Sequence, residues 1–504
     1  MMTEQLRTTP ARHALRTLVI AVALFLLYAF SVQATEISLE TALNPGRQES
    51  FLRVLRLLAD PDFLTVDAES GRIGLSEATE ITLDRIVETI FMALMATTIG
   101  TVLAVPVSFL AARNLMINVS APLAAIMTAL IAIPIGGWVG WQIFSRLMAL
   151  SAQASAEVTI GIGALIAAAV LAWLVLRLGP PLLTDSGQSR GALVLSFIRL
   201  AVVVLLFFFS LGVLAHLGLA AGTWLEATLG PFAFLGNFVF VVSNLVRLTL
   251  PLLTAFVAMV MATSLGSRYG QEAVLRLEGM PARLLTAGLT ALGTAVLVYG
   301  IGTTLNWLYL FDNPERWTTI PAAITGAAAG VVALFVAPKR PFPVGFTIYS
   351  ITRGILNALR AIEPLILAIV FVIWVSLGPF AGVMALGLHT IAALGKLYSE
   401  QVEGISGGPL EAITATGANR LQTIAYAVIP QIVPPYIAFT LYRWDINVRL
   451  ATIIGFVGGG GIGFVLSQNI RQLRYQQASV MMIAIAVVVS LLDYISSRIR
   501  SRII

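Results

Sequence analysis

The sequence predicts an all-α, polytopic membrane protein, and three observations carry that prediction. Of its 504 residues, 58% are hydrophobic and only 11% charged, where a soluble globular chain carries roughly 25% charged residues. The apolar residues gather in runs long enough for helices of about 20 residues to cross a bilayer. The basic residues, almost all Arg with Lys only at Lys339 and Lys396, cluster between alternate runs, as they do at the cytoplasmic ends of spanning helices. The net charge of +6 therefore reflects topology, not contact with nucleic acid.

Twelve crossings follow in order, at 17–34, 87–111, 121–144, 158–178, 195–219, 237–264, 284–306, 319–337, 362–380, 383–399, 428–442 and 478–495. Arg7, Arg12 and Arg16 place the N-terminus in the cytoplasm, and Arg498, Arg500 and Arg502 place the C-terminus there too. Arg113, Arg177, Arg190, Arg268, Arg276, Arg283, Lys339, Arg340, Arg353 and Arg360 fall on the same side, and an even number of crossings agrees. The acid-rich stretch 35–85 then lies outside. Its Phe51, Val54, Leu55 and Leu58 recur at helical spacing, which predicts a short amphipathic helix on the outer surface. Val32-Gln33-Ala34 resembles a small-residue cleavage site, so the first run has a second reading as a signal peptide; a retained span is preferred. Residues 449–467, ATIIGFVGGGGIGFVLSQN, would put the Arg-rich C-terminus outside if they crossed fully, and Gly is a poor helix former. A re-entrant or broken segment packed inside the protein is expected there.

Composition removes several chemistries. With no cysteine there is no disulfide, thiolate metal site or Cys nucleophile. The three histidines, His13, His216 and His389, are too scattered to suggest a metal cluster. Gly458, Gly460 and Gly463 satisfy G-x-G-x-x-G, but no strand precedes them, so tight backbone packing near a translocation path is preferred to a dinucleotide site. Gly395-Lys396-Leu397 lacks the other residues of a phosphate loop. No Walker A sequence occurs, so any ATP hydrolysis belongs to another chain.

One polar stretch stands out among the apolar runs: PLEAITATGANRLQTIAYAVIPQ, residues 409–431, between the tenth and eleventh crossings. Pro409 suits a first helical turn, and Glu411 nearby favours the positive end of the helix dipole. Gly417 can end that helix in the left-handed conformation. Asn419 can cap a second helix whose Leu421, Ile424 and Val428 form an apolar stripe. Pro430 marks the return to the membrane with a kink. These residues predict a helix–turn–helix elbow joined directly to a spanning helix.

A second polar group follows: Arg443, Asp445, Asn447 and Arg449. Charges near membrane depth are costly and usually paired. Asp445 and Arg449, four apart on a helix, can form a structural pair; Arg also suits an oxyanion with several acceptors. Both readings stand at this level.

Glu411-Ala412, Gly417 six residues after the Glu, and Pro430 thirteen residues later resemble the EAA loop of ABC importer permeases. Ile413 in place of Ala, and Ala427-Val428-Ile429-Pro430 as a loose ending, are mild departures. The flanks at 377–403 and 441–479, together with 89–116, look like phosphonate-importer permeases. The resemblance covers roughly 86–116 and 346–504. It implies a type I importer permease fold with a coupling loop at 396–428 that docks on an ATPase subunit. It further implies two ATPase subunits carrying ATP and Mg, no cofactor in this chain, an extracytoplasmic phosphonate-binding protein, and a second permease copy or paralogue in the inner membrane. Related permeases also import phosphite or other phosphorus oxyanions.

The expected layout is a cytoplasmic N-terminus and first helix (1–34), an extracytoplasmic segment (35–85), a first part of the permease core (86–116), an inserted membrane region of about six helices (117–345) and the main core (346–504). Within the insert, Glu272-Ala273 and Gly279 echo Glu411-Ala412 and Gly417 with one residue too many, so a decayed second permease unit and a membrane scaffold are both open. The competing function is an ion-coupled secondary transporter of a small anion, disfavoured because carboxylates are scarce in the spans. A membrane enzyme is weaker, for want of a nucleophile–base or metal set.

Overall fold

The computed structural model describes residues 10–35, 40, 43–66, 73–177, 190–418 and 420–503. Its longer helices, in chain order, are α1 (Pro10–Ala34), α2 (Pro45–Leu58), α3 (Glu77–Leu110), α4 (Leu123–Ala154), α5 (Val158–Arg177), α6 (Arg190–Thr228), α7 (Ala233–Arg276), α8 (Gly279–Tyr309), α9 (Thr319–Leu334), α10 (Val344–Ala361), α11 (Pro364–Val375), α12 (Pro379–Glu403), α13 (Gly407–Ala415), α14 (Ile429–Gly455), α15 (Gly461–Arg471) and α16 (Tyr475–Ile503). The chain divides into two compact units, one of Met1–Met116 with Ile348–Ile504, the other of Ile117–Thr347.

In the first unit, α3 is the helix around which α12, α14, α15 and α16 pack. Its start is set locally: the Ser76 hydroxyl accepts the N–H of Thr79 at 3.1 Å, and Glu77 and Glu80 occupy the first turn, where carboxylates favour the helix dipole. Its buried face is built from small residues, Ala93, Ala96, Gly100 and Ala104. A β-carbon on Gly100 would overlap Thr390 of α12. Lipid tails are as apolar as Leu, so such backbone approach, not water exclusion, holds membrane helices together. Met92, Ala96, Leu367, Ala368, Leu386 and Ile454 fill the space between the helices.

One end of this unit gathers the segment before α3. The predicted amphipathic helix is α2, capped by Asn44, whose side chain accepts the Gly46 N–H. A hairpin of β1 (Leu64–Val66) with β2 (Ile73–Leu75) follows; helical spacing had no means of foreseeing it. Gln476 at the start of α16 donates to the Asp60 carboxylate at 2.8 Å, and the Ser76 hydroxyl donates to the Asp62 carbonyl at 2.5 Å. Glu36, Asp67 and Glu69 lie outside the described residues.

In the second unit, α4 packs on α7, α6 on α7, and α8 on α9. Gly136 and Gly140 of α4 meet the backbone of α7 at Thr254–Met259, where any side chain would collide. The two ends of the unit come together as β3 (Ala121–Pro122) pairs with β4 (Pro341–Phe342), the arrangement an inserted region requires. At 39 and 44 residues, α6 and α7 extend about 59 and 66 Å, twice the hydrocarbon thickness of about 30 Å. The expected spans 195–219 and 237–264 cover only their middles.

Three expectations are corrected. Among the described residues eleven helices are long and apolar enough to cross a membrane, but the ninth expected crossing, 362–380, is not a straight span. Pro364 cannot continue α10, and it holds Glu363 extended at φ −59°, ψ 137°. The chain turns by 90° into α11, whose 12 residues extend only about 18 Å. The eleventh crossing, placed at 428–442, continues as helix to Gly455, because the polar residues inside it are partnered by neighbouring helices. The echo of the elbow fails: Glu272 and Ala273 lie in the last turns of α7, and only Leu277 and Glu278 separate α7 from α8.

Candidate functional site

The polar stretch at 409–431 forms two helical pieces, as its caps and breakers dictate. Gly404 ends α12 with its N–H on the carbonyls of Glu400 (3.0 Å) and Gln401 (3.2 Å). Ser406 is extended and α13 begins at Gly407, two residues before the expected start. Pro409 thus stands third, where a missing N–H leaves no bond unmade. Glu411 and Ala412 are both exposed, Glu411 one turn in from the helix start rather than in its first turn. No residue of α13 is buried. Gly417 takes φ +80°, the left-handed conformation that ends a helix. Asn419 lies outside the described residues, and the side chain of Leu421 with it.

After the single turn Arg420–Thr423, residues Ile424–Val428 form a π-turn that leads into α14. Pro430 accounts for it. Its ring displaces the carbonyl four residues earlier and it has no N–H to give, so the backbone widens by one residue before the proline. This wide turn stands where a kink was expected.

The elbow is fastened at both ends. The Gln431 carboxamide accepts the Ser406 N–H at 3.0 Å and donates to the Ala427 carbonyl at 2.8 Å. Glu403 receives Arg353 on both carboxylate oxygens at 3.0 Å and the Arg113 N–H at 2.7 Å. Next to it, the rings of Tyr398 (α12) and Tyr436 (α14) stack with centroids 3.8 Å apart and planes 8° from parallel. Sequence reasoning missed Arg353, Glu403, Gln431, Tyr398 and Tyr436 as parts of the elbow's mounting. The only signal for them was polar side chains inside otherwise apolar helices.

The second polar group splits into two pairs. Alternate residues on a helix lie 200° apart, so Arg443 and Asn447 face one way and Asp445 and Arg449 another. Asn447 is fully buried and donates to the Thr97 and Thr390 hydroxyls at 2.8 and 2.9 Å. Arg443, 7% exposed, donates from Nε to Thr390 at 3.3 Å. On the other face, Arg449 donates to the buried Asp445 carboxylate at 2.9 Å while itself remaining 50% exposed; Asp493 of α16 lies 3.9 Å away. Two faces, two environments.

The glycines after α14 make a turn, not a phosphate loop. Gly458, Gly460 and Gly461 have φ of +96°, +79° and +70°, and the Gly458 carbonyl accepts the Gly378 N–H at 2.8 Å. α15 then folds back so closely that a β-carbon on Gly463 would overlap the Thr452 carbonyl. The expected break in 449–467 falls at 456–460, after α14 has run its full length. Among the described residues no group of His, Cys, Asp and Glu could hold a metal ion.

Comparison with known proteins fits this architecture. Residues 329–503 match the family described as "Binding-protein-dependent transport system inner membrane component". The phosphite transport system permease protein PtxC of Stutzerimonas stutzeri is 38% identical over 186 residues, 36% of this chain and 67% of that protein. The phosphate-import permease protein PhnE of Mycolicibacterium smegmatis is 38% identical over 193 residues, 36% of each chain. The cryptic phosphonate transport system permease protein PhnE2 of Escherichia coli K12 is 50% identical over 121 residues, 24% of this chain and 99% of that one. With a matched region that carries the elbow, both polar pairs and the glycine turn, this chain belongs to the family of binding-protein-dependent transport system inner membrane components.

Proposed function

We propose that this chain is the membrane-spanning subunit of an ATP-driven importer of phosphonates or related phosphorus oxyanions, working with ATPase subunits, an extracytoplasmic solute-binding protein and a second permease copy or paralogue. The observation that carries the reading is α13, a helix with no buried residue that is nonetheless bolted to three membrane helices through Gln431, Glu403 and the stacked tyrosines. A helix so exposed and so firmly mounted is suited to receive a partner's push and pass it on. On this reading the Glu403 end of the unit faces the cytoplasm, as do both termini. ATP and Mg sit on the partner chain. The ATPase draws α13 with it as it closes, and the stacked pair and Glu403–Arg353 carry that displacement into α12, α14 and α3. The solute class rests on the phosphite, phosphate and phosphonate systems to which the three relatives belong.

The test is co-expression with the ATPase subunit of the importer. Glu411→Lys, which reverses the charge on the exposed face of α13, should leave the permease in the membrane and sharply reduce the ATPase that co-purifies with it. Undiminished ATPase binding would show that α13 is not the docking element.

A further inference from the structure

We propose that the permease itself holds the passing anion, at a site formed by Arg443 and His389 beside the break between α10 and α11. This deepens the importer reading and rests on it for the solute class. The site sits at mid-depth. Arg443 is 14 residues into α14 and His389 10 residues into α12, so each lies about 15–21 Å from either end of its helix. Thr390, the residue after His389, accepts the Arg443 Nε–H at 3.3 Å, and Ile362 in the break packs on the cluster that holds Leu386, about one turn from His389. Irregular backbone at membrane depth is tolerated where it lines a cavity or is buried in protein.

Among the described residues no carboxylate pairs with Arg443, although Asp445 stands only two residues away and is taken by Arg449. Thr390 holds one edge of the Arg443 guanidinium through Nε, while Nη2 is buried without a hydrogen-bond partner. An unpaired buried guanidinium is a standing cost to folding. A chain that keeps one, pre-oriented by Thr390 and Asn447, is built for a ligand that supplies the missing negative charge.

The histidine adds a second group. Its Nδ1 is also buried and without a hydrogen-bond partner, one residue from the Thr390 hydroxyl that receives Arg443. A guanidinium beside an unpartnered imidazole nitrogen suits a tetrahedral oxyanion with several oxygens to share between them, such as phosphite, phosphate or an alkylphosphonate.

The measurement is thermal unfolding of the purified full chain in nanodiscs, titrated with phosphite or methylphosphonate. Both should raise the unfolding midpoint in proportion to the logarithm of their concentration. Arg443→Met should be at least as stable as the natural protein without anion, because it removes an unpaired charge, yet lose the anion-dependent rise. His389→Gln should weaken the rise without abolishing it. A natural protein that does not respond to phosphite, or Arg443→Met responding as the natural protein does, would overturn the site. Because no ATPase is present, a failure here is separate from a failure of the importer reading, which is judged by ATPase binding.

Discussion

Tyr398 and Tyr436 do more than stack: each hydroxyl lies 3.3 Å from the other residue's backbone carbonyl, so the pair is joined reciprocally across α12 and α14. The Tyr398 hydroxyl also meets Thr440 at 2.6 Å, and that of Tyr436 meets Ser108 of α3 at 3.2 Å. Three helices are thereby clamped within two turns of the elbow. Removing either hydroxyl as Tyr398→Phe or Tyr436→Phe should cost about 0.5–1.5 kcal/mol, because buried acceptors lose their donors. Thermal unfolding in nanodiscs reads the loss. In the assembled transporter, uptake should fall by more than ATPase binding does, since the clamp lies behind the docking helix and not on it.

Gly417 gives a sharper test of the elbow. At φ +80°, a side chain strains the backbone by roughly 1–2 kcal/mol, and Asn bears this conformation better than other residues. Open space surrounds the glycine, so backbone conformation alone is at stake. ATPase co-purification should therefore fall in the order Gly417, Asn, Ala, Pro. Equal binding by Gly417→Ala and Gly417→Pro would show that the turn does not set the docking geometry.

The Asp445–Arg449 pair should behave asymmetrically. Arg449→Gln leaves a buried carboxylate without its cation, a loss of up to about 3–5 kcal/mol. Asp445→Asn leaves a half-exposed guanidinium that water and lipid headgroups can accommodate, so the loss should be well under half as large. The double variant should recover most of the stability and transport normally. Double-mutant analysis of unfolding midpoints and uptake separates these outcomes. A stable double variant without uptake would assign Arg449 a role in the path, which its pairing here does not call for.

Much of this fold is legible in the sequence because lipid imposes one rule. Backbone groups without water must bond internally, so apolar runs of sufficient length become helices, and the Ser, Pro and Gly positions around them mark ends. Gly417 and Pro430 announced a turn and a distortion by chemistry that is local to the residue. What stayed hidden depends on pairing between distant segments. Nothing near Arg443 predicts that α14 continues through it; Thr97 and Thr390, some 350 and 53 residues away, make that possible. Three scattered histidines suggest no metal site, and nothing around His389 in the sequence marks Thr390, the next residue, as the partner of Arg443. The break before Pro364 is visible as Glu363-Pro364, but a run read for its apolar length passes over it.

On the importer proposal, ATP and not an ion gradient drives this permease. The direct measurement is uptake of phosphite or methylphosphonate into vesicles that hold the permease, its ATPase and its binding protein, with proton and sodium gradients collapsed by ionophores and ATP held constant. Accumulation should continue under those conditions and stop when ATP is withheld. Uptake abolished by the protonophore while ATP stays constant would contradict it and move the chain to the secondary transporters.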